Sequence, residues 1–341
     1  MSRWLRNSAL AGALLAATIA WKAAWAASDD SGIVVTALRN PVDKSYRRMV
    51  KGMELFEQMH AMAPGASLRY KLLPRTPGTT VDAVAVQIVG DSFEVPVTVQ
   101  PDRTFTLERD EKALREDASV RSDRRAGSMT WRAEVRTPGL PPNARRLGDL
   151  RLECRVGMQA GLVSRYPSFL GRLMEAMLDT PELCNERRAP YLFFAERPLF
   201  GVTLRAGARS EALSVRQLYA GITRGETAPE DIPYCDCKAL LDRAYFVPLG
   251  DRSWPDDTLV ELEYMDAAAS DPGEAILAGD SKAEVARVLG EASVVRFDSG
   301  FEVWAYEYGP ADRAFAQTEL VVLFDPRGTV SRARLRPAPP T

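Results

Sequence analysis

The 341-residue sequence predicts an α+β protein: an N-terminal helix, then a β-rich, sandwich-like domain stapled by disulfides, then a small two-layer α+β module. Three observations predict this organisation. Apolar residues recur at helical spacing between Val42 and Met62. Short strand-like segments, separated by turn residues roughly every eight to twelve positions, continue as far as Val156. The C-terminal segment then has the pattern of helix, hairpin and strand.

The first 26 residues have the pattern of a cleavable signal peptide. Two early arginines precede an apolar run over residues 9–21, and Ala24-Trp25-Ala26 fits a cleavage site. The run is short for a membrane span and ends at Lys22, although a retained anchor is the alternative. We expect cleavage after Ala26, a periplasmic or secreted protein, and no transmembrane segment after cleavage. Because no cysteine follows the cleavage site, we also expect no lipid anchor.

Composition and motifs argue against several functional classes. The chain has 44 basic and 46 acidic residues, so its net charge of −2 does not favour nucleic acid. Its single histidine, His60, lies in the last turn of the predicted first helix, where a histidine suits the helix dipole. The sequence has no nucleophile elbow and no phosphate-binding glycine loop. We therefore predict no catalytic residues, no cofactor and no metal site.

The first domain, residues 27–165, combines the helix with several strands. Asn40-Pro41 begins the helix and Pro64-Gly65 ends it. The predicted strands are Ser67–Leu73, Ala83–Val89, Phe93–Val99, Arg103–Leu107, Met129–Val135 and Leu150–Val156. Secreted sandwiches of this kind commonly bind or scaffold, and a purely structural domain is the alternative.

Residues 166–266 have a mixed pattern of helices and strands. The predicted helices are Phe169–Met177 and Ser214–Tyr219, and the predicted strands are Tyr191–Phe194, Gly201–Leu204, Tyr245–Leu249 and Leu259–Tyr264. We expect the last two strands to pair with each other. The segment Met265–Gly273 is rich in small and turn residues, so we predict a linker there.

The four cysteines are Cys154, Cys184, Cys235 and Cys237. An even number in an oxidising compartment predicts two disulfides, for which three connectivities exist. A bond between Cys235 and Cys237 would close a strained ring around one residue. We therefore favour Cys154 and Cys184 each pairing with one member of that couple, which would staple the middle region to the β-rich domain. Redox chemistry at the Cys-Asp-Cys segment is the alternative.

The C-terminal segment has clear signals for a helix start, a helix end and a turn. Ser281 and Glu284 form a capping-box pattern, and Gly290 ends the short helix. Three strands are predicted at residues 301–308, 320–324 and 328–330, with a turn at 325–328.

This segment resembles the SmpA/OmlA (BamE-like) domain family. The resemblance rests on Gly279-Asp280-Ser281-Lys282, Val285, Leu289-Gly290, Trp304-x-Tyr306 and Phe324-Asp325-x-x-Gly328-x-Val330, and covers residues 272–338. It implies helices packed on a three-stranded antiparallel sheet, without catalytic residues. It also implies action by contact with other envelope proteins or lipid, as in outer-membrane assembly.

Period-2 alternation places Trp304, Tyr306 and Tyr308 on one face of their strand, opposite Val303 and Ala305. If only one face is core, these aromatic residues form a candidate partner surface; the alternative is that they belong to the core. We expect a periplasmic, non-enzymatic envelope protein that acts through protein–protein contacts and is linked to outer-membrane assembly or integrity. The alternatives are a secreted carboxylate-dependent hydrolase and an inhibitor-type binding protein with a protruding hairpin tip at residues 297–300.

Overall fold

The computed structural model describes residues 40–163, 180–186, 189, 191–224, 238–267, 277–308 and 318–337. All of them belong to one compact unit, Leu38–Thr341. These residues form a mixed α+β protein, which confirms the α+β class that the sequence predicts. Within these ranges no helix has the length and apolar character needed to cross a membrane. The signal-peptide pattern, the predicted helix Phe169–Met177, Cys235 and Cys237 lie outside the described residues.

The helices are α1 Tyr46–Gln58, α2 Glu111–Arg115, α3 Leu147–Gln159 and α4 Lys282–Leu289. The first strands are β1 Pro41–Ser45, β2 Ser67–Pro74, β3 Val86–Val89, β4 Glu94–Val97, β5 Thr104–Phe105, β6 Ser119–Arg125, β7 Met129–Arg136 and β8 Ala144–Arg146. The others are β9 Phe193–Phe194, β10 Leu199–Ala206, β11 Arg209–Ala212, β12 Ala244–Tyr245, β13 Leu259–Tyr264, β14 Ser293–Arg296, β15 Glu302–Tyr308, β16 Thr318–Phe324 and β17 Val330–Pro337. They form antiparallel sheets in the orders β1-β6-β3-β4, β5-β2-β7, β11-β10-β13-β8, β12-β9 and β14-β15-β16-β17.

The first core lies between the two N-terminal sheets and helices α1 and α3. Tyr70, Phe105 and Trp131 are almost fully buried in it, and the Phe105 and Trp131 rings meet edge to face at 5.9 Å. The two sheets thus share their core with two helices, whereas a sandwich is built from sheets alone.

Helix α1 is shorter than the sequence predicts. The predicted helix begins at Val42, but residues Pro41–Ser45 instead pair with β6. Ser45 then acts as the N-cap, because its side chain accepts a hydrogen bond from the backbone N–H of Arg48. Val42 is buried in the strand, as it would be in a helix, so burial alone could not separate the two structures.

The predicted strand Leu150–Val156 is wrong, because these residues lie in α3. Two buried stripes run along this helix at spacings of three or four residues. Leu147, Leu150, Cys154 and Met158 face the second core, whereas Leu152, Val156 and Ala160 face the first. Two interleaved helical stripes resemble strand alternation in the sequence, since apolar residues fall on every second position.

The middle region supplies the second core, around the sheet β11-β10-β13-β8. The predicted pairing of Tyr245–Leu249 with Leu259–Tyr264 is wrong. Strand β13 lies between β10 and β8, while β12 pairs with β9. The predicted helix Ser214–Tyr219 is a 3-10 turn over Val215–Gln217, which begins with a capping box between Ser214 and Gln217.

A disulfide joins Cys154 on α3 to Cys184 in the 3-10 turn Pro181–Asn185. A disulfide is therefore present, but the favoured pairing of these two cysteines with Cys235 and Cys237 is wrong. Both sulfurs lie in the second core, and the Cα atoms are 6.0 Å apart, inside the usual range for a disulfide. The bond ties the central helix to the segment that follows it.

Peptide mapping without reduction should recover Cys154 and Cys184 in one linked pair of peptides. Removing both by Cys154→Ala and Cys184→Ala should lower the free energy of unfolding by about 3 kcal/mol, because the bond closes a loop of 30 residues. Urea unfolding checks this value. A linked peptide containing Cys154 together with Cys235 or Cys237 would contradict the assignment.

The C-terminal sheet has four strands instead of the three implied by the family resemblance, because β14 pairs with β15. The predicted capping box is present: Ser281 and Glu284 cap each other's backbone N–H at the start of α4. Gly290 ends the helix with φ of 80°. Helix α4 covers one face of the sheet through Val285, which packs with Tyr306 and Phe324 in a third core.

The turn between β16 and β17 is organised by Asp325. Burial alone would raise the pKa of this carboxyl, but hydrogen bonds from Arg327 and Thr329 hold it at about 2. A pKa lowered by folding stabilises the protein above the pKa of the unfolded chain, near 4, and this stabilisation is lost as pH falls towards 2.

Between about pH 4 and pH 2, the free energy of unfolding of the parent protein should therefore fall by about 1 kcal/mol more than that of Asp325→Asn. Asparagine does not titrate, so the variant lacks this contribution. Chemical unfolding of the variant and the parent protein at several pH values measures the difference. The matched control is Asp257→Asn, at an exposed position. An identical pH dependence for Asp325→Asn and the parent protein would contradict the role of Asp325.

Candidate functional site: a charged trench

Trp304 and Tyr306 do not form the exposed partner surface that the sequence predicts. Tyr306 is 5% exposed, and Trp304 packs against Phe324 with ring centroids 4.7 Å apart. The Trp304 indole N–H donates to Glu302 Oε1 at 2.6 Å. Both side chains therefore belong to the third core, while the side chain of Tyr308 lies outside the described residues.

Alternation does not identify a solvent-facing side of β15, because both sides of this strand are covered. Val303 and Ala305, on the opposite face, are buried in the second core. Buried arginines on β17 reinforce that contact: Arg336 donates to the Phe200 carbonyl at 2.7 Å, and Arg332 donates to the Tyr264 carbonyl. A sheet covered on both sides presents apolar residues at successive positions without leaving a free face.

Phe297, in the hairpin tip at residues 297–300, packs inward, whereas Asp298, Ser299 and Gly300 are exposed. Phe297 is 8% exposed, and its ring lies 4.9 Å from that of Tyr219. Ser299 hydrogen-bonds the Asp242 carboxyl. An inhibitor-type function would require a protruding hairpin tip, whereas Phe297 and Ser299 attach this tip to the middle region.

Among the described residues, His60 contacts residues that are close to it in the sequence. Its Nε2 lies 3.0 Å from the Ala66 carbonyl oxygen, and its ring packs 5.0 Å from that of Phe56. These contacts fit the structural role that the sequence predicts.

Two adjoining cavities of about 700 and 760 Å³ lie along the outer face of the sheet β5-β2-β7. Their walls share Lys71, Arg103, Glu134 and Glu196, so we treat them as one trench. The inner cavity also reaches the hairpin tip of the C-terminal sheet and the middle-region segment 239–243. The trench therefore lies where the N-terminal, middle and C-terminal sections of the chain meet.

Strand alternation makes the floor of the trench charged. On β2 and β7, Tyr70, Leu72 and Trp131 point into the first core, so the neighbouring positions point outwards. The outward residues in the trench walls are Ser67, Arg69, Lys71, Arg132, Glu134 and Arg136. The register places Lys71 opposite Arg132, Arg69 opposite Glu134, and Ser67 opposite Arg136.

Most of these charges are paired within the protein. Arg69 bridges Asp102 and Glu134 at 2.8 and 2.9 Å. The Lys71 ammonium lies 2.9 Å from Glu196, which is 125 residues away in the sequence. Such contacts hold the middle region over the sheet and position the charged groups of the walls.

The inner end of the trench contains a buried ion pair. Arg145 Nη2 donates to Glu153 Oε2 at 2.6 Å, and the backbone N–H of Val135 donates to the same oxygen at 2.9 Å. Burial lowers the pKa of Arg145, but the neighbouring charge of Glu153 outweighs this effect and the net direction is upward. Breaking this pair would leave an uncompensated buried charge.

Arg132 links the sheet to β9. Its Nη1 donates to the Leu192 carbonyl at 2.6 Å, and the guanidinium lies 5.0 Å from the Phe194 ring. This combination of a hydrogen bond and a cation–π contact holds Leu192 and Phe194 against the charged floor of the trench.

Asp242 is a second buried carboxyl in the wall, at 5% exposed. Burial raises its pKa, although the hydrogen bond from Ser299 and the charge of Arg243 oppose this change. The nearby exposed carboxylate of Asp298 acts in the same direction as burial. Two neighbouring carboxyl groups, of which one has its pKa raised by burial, are an arrangement that also occurs in carboxylate hydrolases.

The inner cavity has six cationic and six anionic residues in its walls. The cations are Lys71, Arg103, Arg132, Arg145, Arg243 and Arg296, and the anions are Asp82, Glu134, Glu153, Glu196, Asp242 and Asp298. This balance does not favour a polyanion such as nucleic acid. Across the described ranges, no three histidine, cysteine or carboxylate residues are grouped as a metal site.

Comparison of the chain with protein-family models, with curated proteins and with solved structures finds no match.

Sequence reasoning missed the trench. The alternation of charge along β2 and β7 was a signal for it, since Arg69 and Lys71 fall on one face of β2 and Arg132, Glu134 and Arg136 on one face of β7. Glu196 could not be placed opposite Lys71, because no local pattern links positions so far apart.

Proposed function

We propose that this chain is a periplasmic, non-enzymatic envelope protein that acts through protein–protein contacts, with the trench as its binding region. The observation that carries the proposal is the position of the trench at the junction of three sections of the chain. Charged walls of both signs suit a polar protein segment, since electrostatic complementarity contributes strongly to specificity. The signal-peptide pattern and the buried disulfide agree with an oxidising envelope compartment.

We further propose that α4 and the C-terminal sheet are an SmpA/OmlA-like module, and that the protein contributes to outer-membrane assembly or integrity. The capping box, the Leu289-Gly290 helix end and the Trp304-x-Tyr306 strand support this proposal. In this proposal Trp304 and Tyr306 stabilise the module, and the attachment of the module to the middle region closes one side of the trench. Partners contact the trench and do not contact Trp304 or Tyr306.

Crosslinking and affinity purification from the native envelope test this function. Wild-type protein and two charge-reversal variants, Glu196→Lys in the trench and Glu111→Lys on α2, should be compared by mass spectrometry. Both glutamates are exposed, with 52% and 92% of the side-chain surface accessible, so both variants should fold. We expect the wild type and Glu111→Lys to recover the same envelope proteins, and Glu196→Lys to lose them. Equal recovery by all three proteins would refute the trench as the binding region.

The intact mass of the exported protein tests the compartment separately. Cleavage after Ala26 should yield a chain that begins at Ala27 and is found in the periplasmic fraction. An unprocessed chain in the cytoplasm would remove the basis for an envelope function.

A carboxylate-dependent hydrolase is the second candidate, favoured by the buried Asp242 beside Asp298 in the trench wall. In that case Asp242 would act as the acid, and Asp298 as the base or nucleophile. Turnover of a panel of chromogenic glycosides, lost in Asp242→Asn at unchanged thermal stability, would support it. Without wild-type turnover on that panel the candidate fails.

A further inference from the structure

One arginine in the outer half of the trench has no internal partner. Arg136 lies at the end of β7 and lines the outer cavity of about 760 Å³. Within the described ranges its guanidinium makes neither a hydrogen bond nor an ion pair. By contrast, Arg69 and Lys71 beside it are bound to carboxylates.

The strand register explains why Arg136 has no carboxylate opposite it. Arg69 faces Glu134 across the strand pair, whereas Arg136 faces Ser67, whose short side chain carries no charge. The chain then turns into the proline-rich segment 137–142, which forms the adjoining wall and keeps the outer cavity open beside the guanidinium. An arginine in such a position offers its planar fork of N–H donors to an oxyanion.

We propose that Arg136 is an anion-anchoring residue that binds a carboxylate of an acidic peptide segment lying in the outer trench. This proposal rests on the proposed binding function and names the class of ligand that the outer trench takes.

The charge balance favours a carboxylate. The outer cavity has four cations and three anions in its walls: Arg69, Lys71, Arg103 and Arg136 against Asp102, Glu134 and Glu196. The single surplus positive charge matches the single negative charge of a carboxylate. A phosphate carries about −1.5 to −2 at neutral pH, and the excess would be repelled by the wall carboxylates. The leucine and prolines of segment 137–142 provide apolar contacts for the rest of a peptide.

Fluorescence anisotropy with the purified full chain tests this assignment at low ionic strength. The probe is a fluorescein-labelled, C-terminally amidated glycine-rich peptide with a single glutamate, and the comparison peptide has lysine in place of that glutamate. Arg136→Gln should weaken binding of the acidic probe about tenfold, because a charge-assisted hydrogen bond to the ligand is lost. Arg136→Lys should give an intermediate loss, since lysine keeps the charge but lacks the fork.

The matched control is Arg115→Gln on α2, whose side chain is 68% exposed and which should bind the probe like the wild type. Thermal unfolding confirms that the variants are folded. Equal affinity of the wild type and Arg136→Gln, or no binding of the acidic probe by the wild type, would overturn the proposal. So would displacement of the probe by inorganic phosphate at a lower concentration than by unlabelled peptide. Failure here with an intact pull-down result would reject the ligand class and leave the proposed function standing.

Discussion

Replacing Arg151 by methionine should lower the free energy of unfolding by about 3–5 kcal/mol, since the loss of a buried, fully bonded charge is among the most costly single changes. The Arg151 side chain is 3% exposed and lies on α3. Its guanidinium donates to three backbone carbonyls, those of Leu249, Asp251 and Trp254, at 2.8–3.0 Å, and to Asp256 at 2.5 Å. Without these donors each buried carbonyl would cost about 1–3 kcal/mol.

Urea unfolding monitored by circular dichroism measures this loss. The control is Arg205→Met, at an arginine that is 49% exposed and paired with Glu261 on the surface, where we expect a change within about 1 kcal/mol. Arg151→Lys should recover only part of the stability, because an ammonium group cannot reach several carbonyls in a fixed fork. Equal midpoints for Arg151→Met and Arg205→Met would show that the segment 249–256 does not depend on Arg151 for its stability.

Gly148→Ala should lower the free energy of unfolding by about 3 kcal/mol, although alanine normally favours a helix. Gly148 is the second residue of α3, and a Cβ atom there would lie 2.2 Å from the Met62 carbonyl oxygen and 2.9 Å from that of Asp256. Both atoms belong to the backbone, so no side-chain rotation can relieve the overlap.

The reverse exchange on another helix separates this clash from helix propensity. Ala286 is exposed on α4, and Ala286→Gly should cost about 1 kcal/mol through propensity alone. Thermal unfolding of both variants gives the comparison. Stabilisation by Gly148→Ala would mean that α3 can move away from residue 62 at no cost.

The sequence predicted the local structure well where the determinants are local. The Ser281–Glu284 capping box and the Gly290 helix end depend on residues within one or two turns of each other, and both are present. The strands that became β2, β7 and β10 were also predicted, because clean alternation or β-branched runs identify them.

The sequence-based predictions are wrong where one segment packs against two cores. Helix α3 and strand β15 are each buried on two sides. Their apolar residues therefore also occupy positions that would face solvent in an element with only one buried side. The same cause explains why Trp304 and Tyr306 were assigned to a partner surface. A single sequence does not show that a second layer will cover the other face.

The amino-acid sequence by itself determined the α+β class, the presence of cysteines that can form a disulfide, and the ends of α4. Tertiary structure decided which cysteines pair, that β15 is covered on both sides, and where the trench lies. The physical reason is the range of the interactions: capping and alternation act over a few residues. The contacts that build the trench, such as that between Lys71 and Glu196, join residues 125 positions apart and form only once both cores are packed.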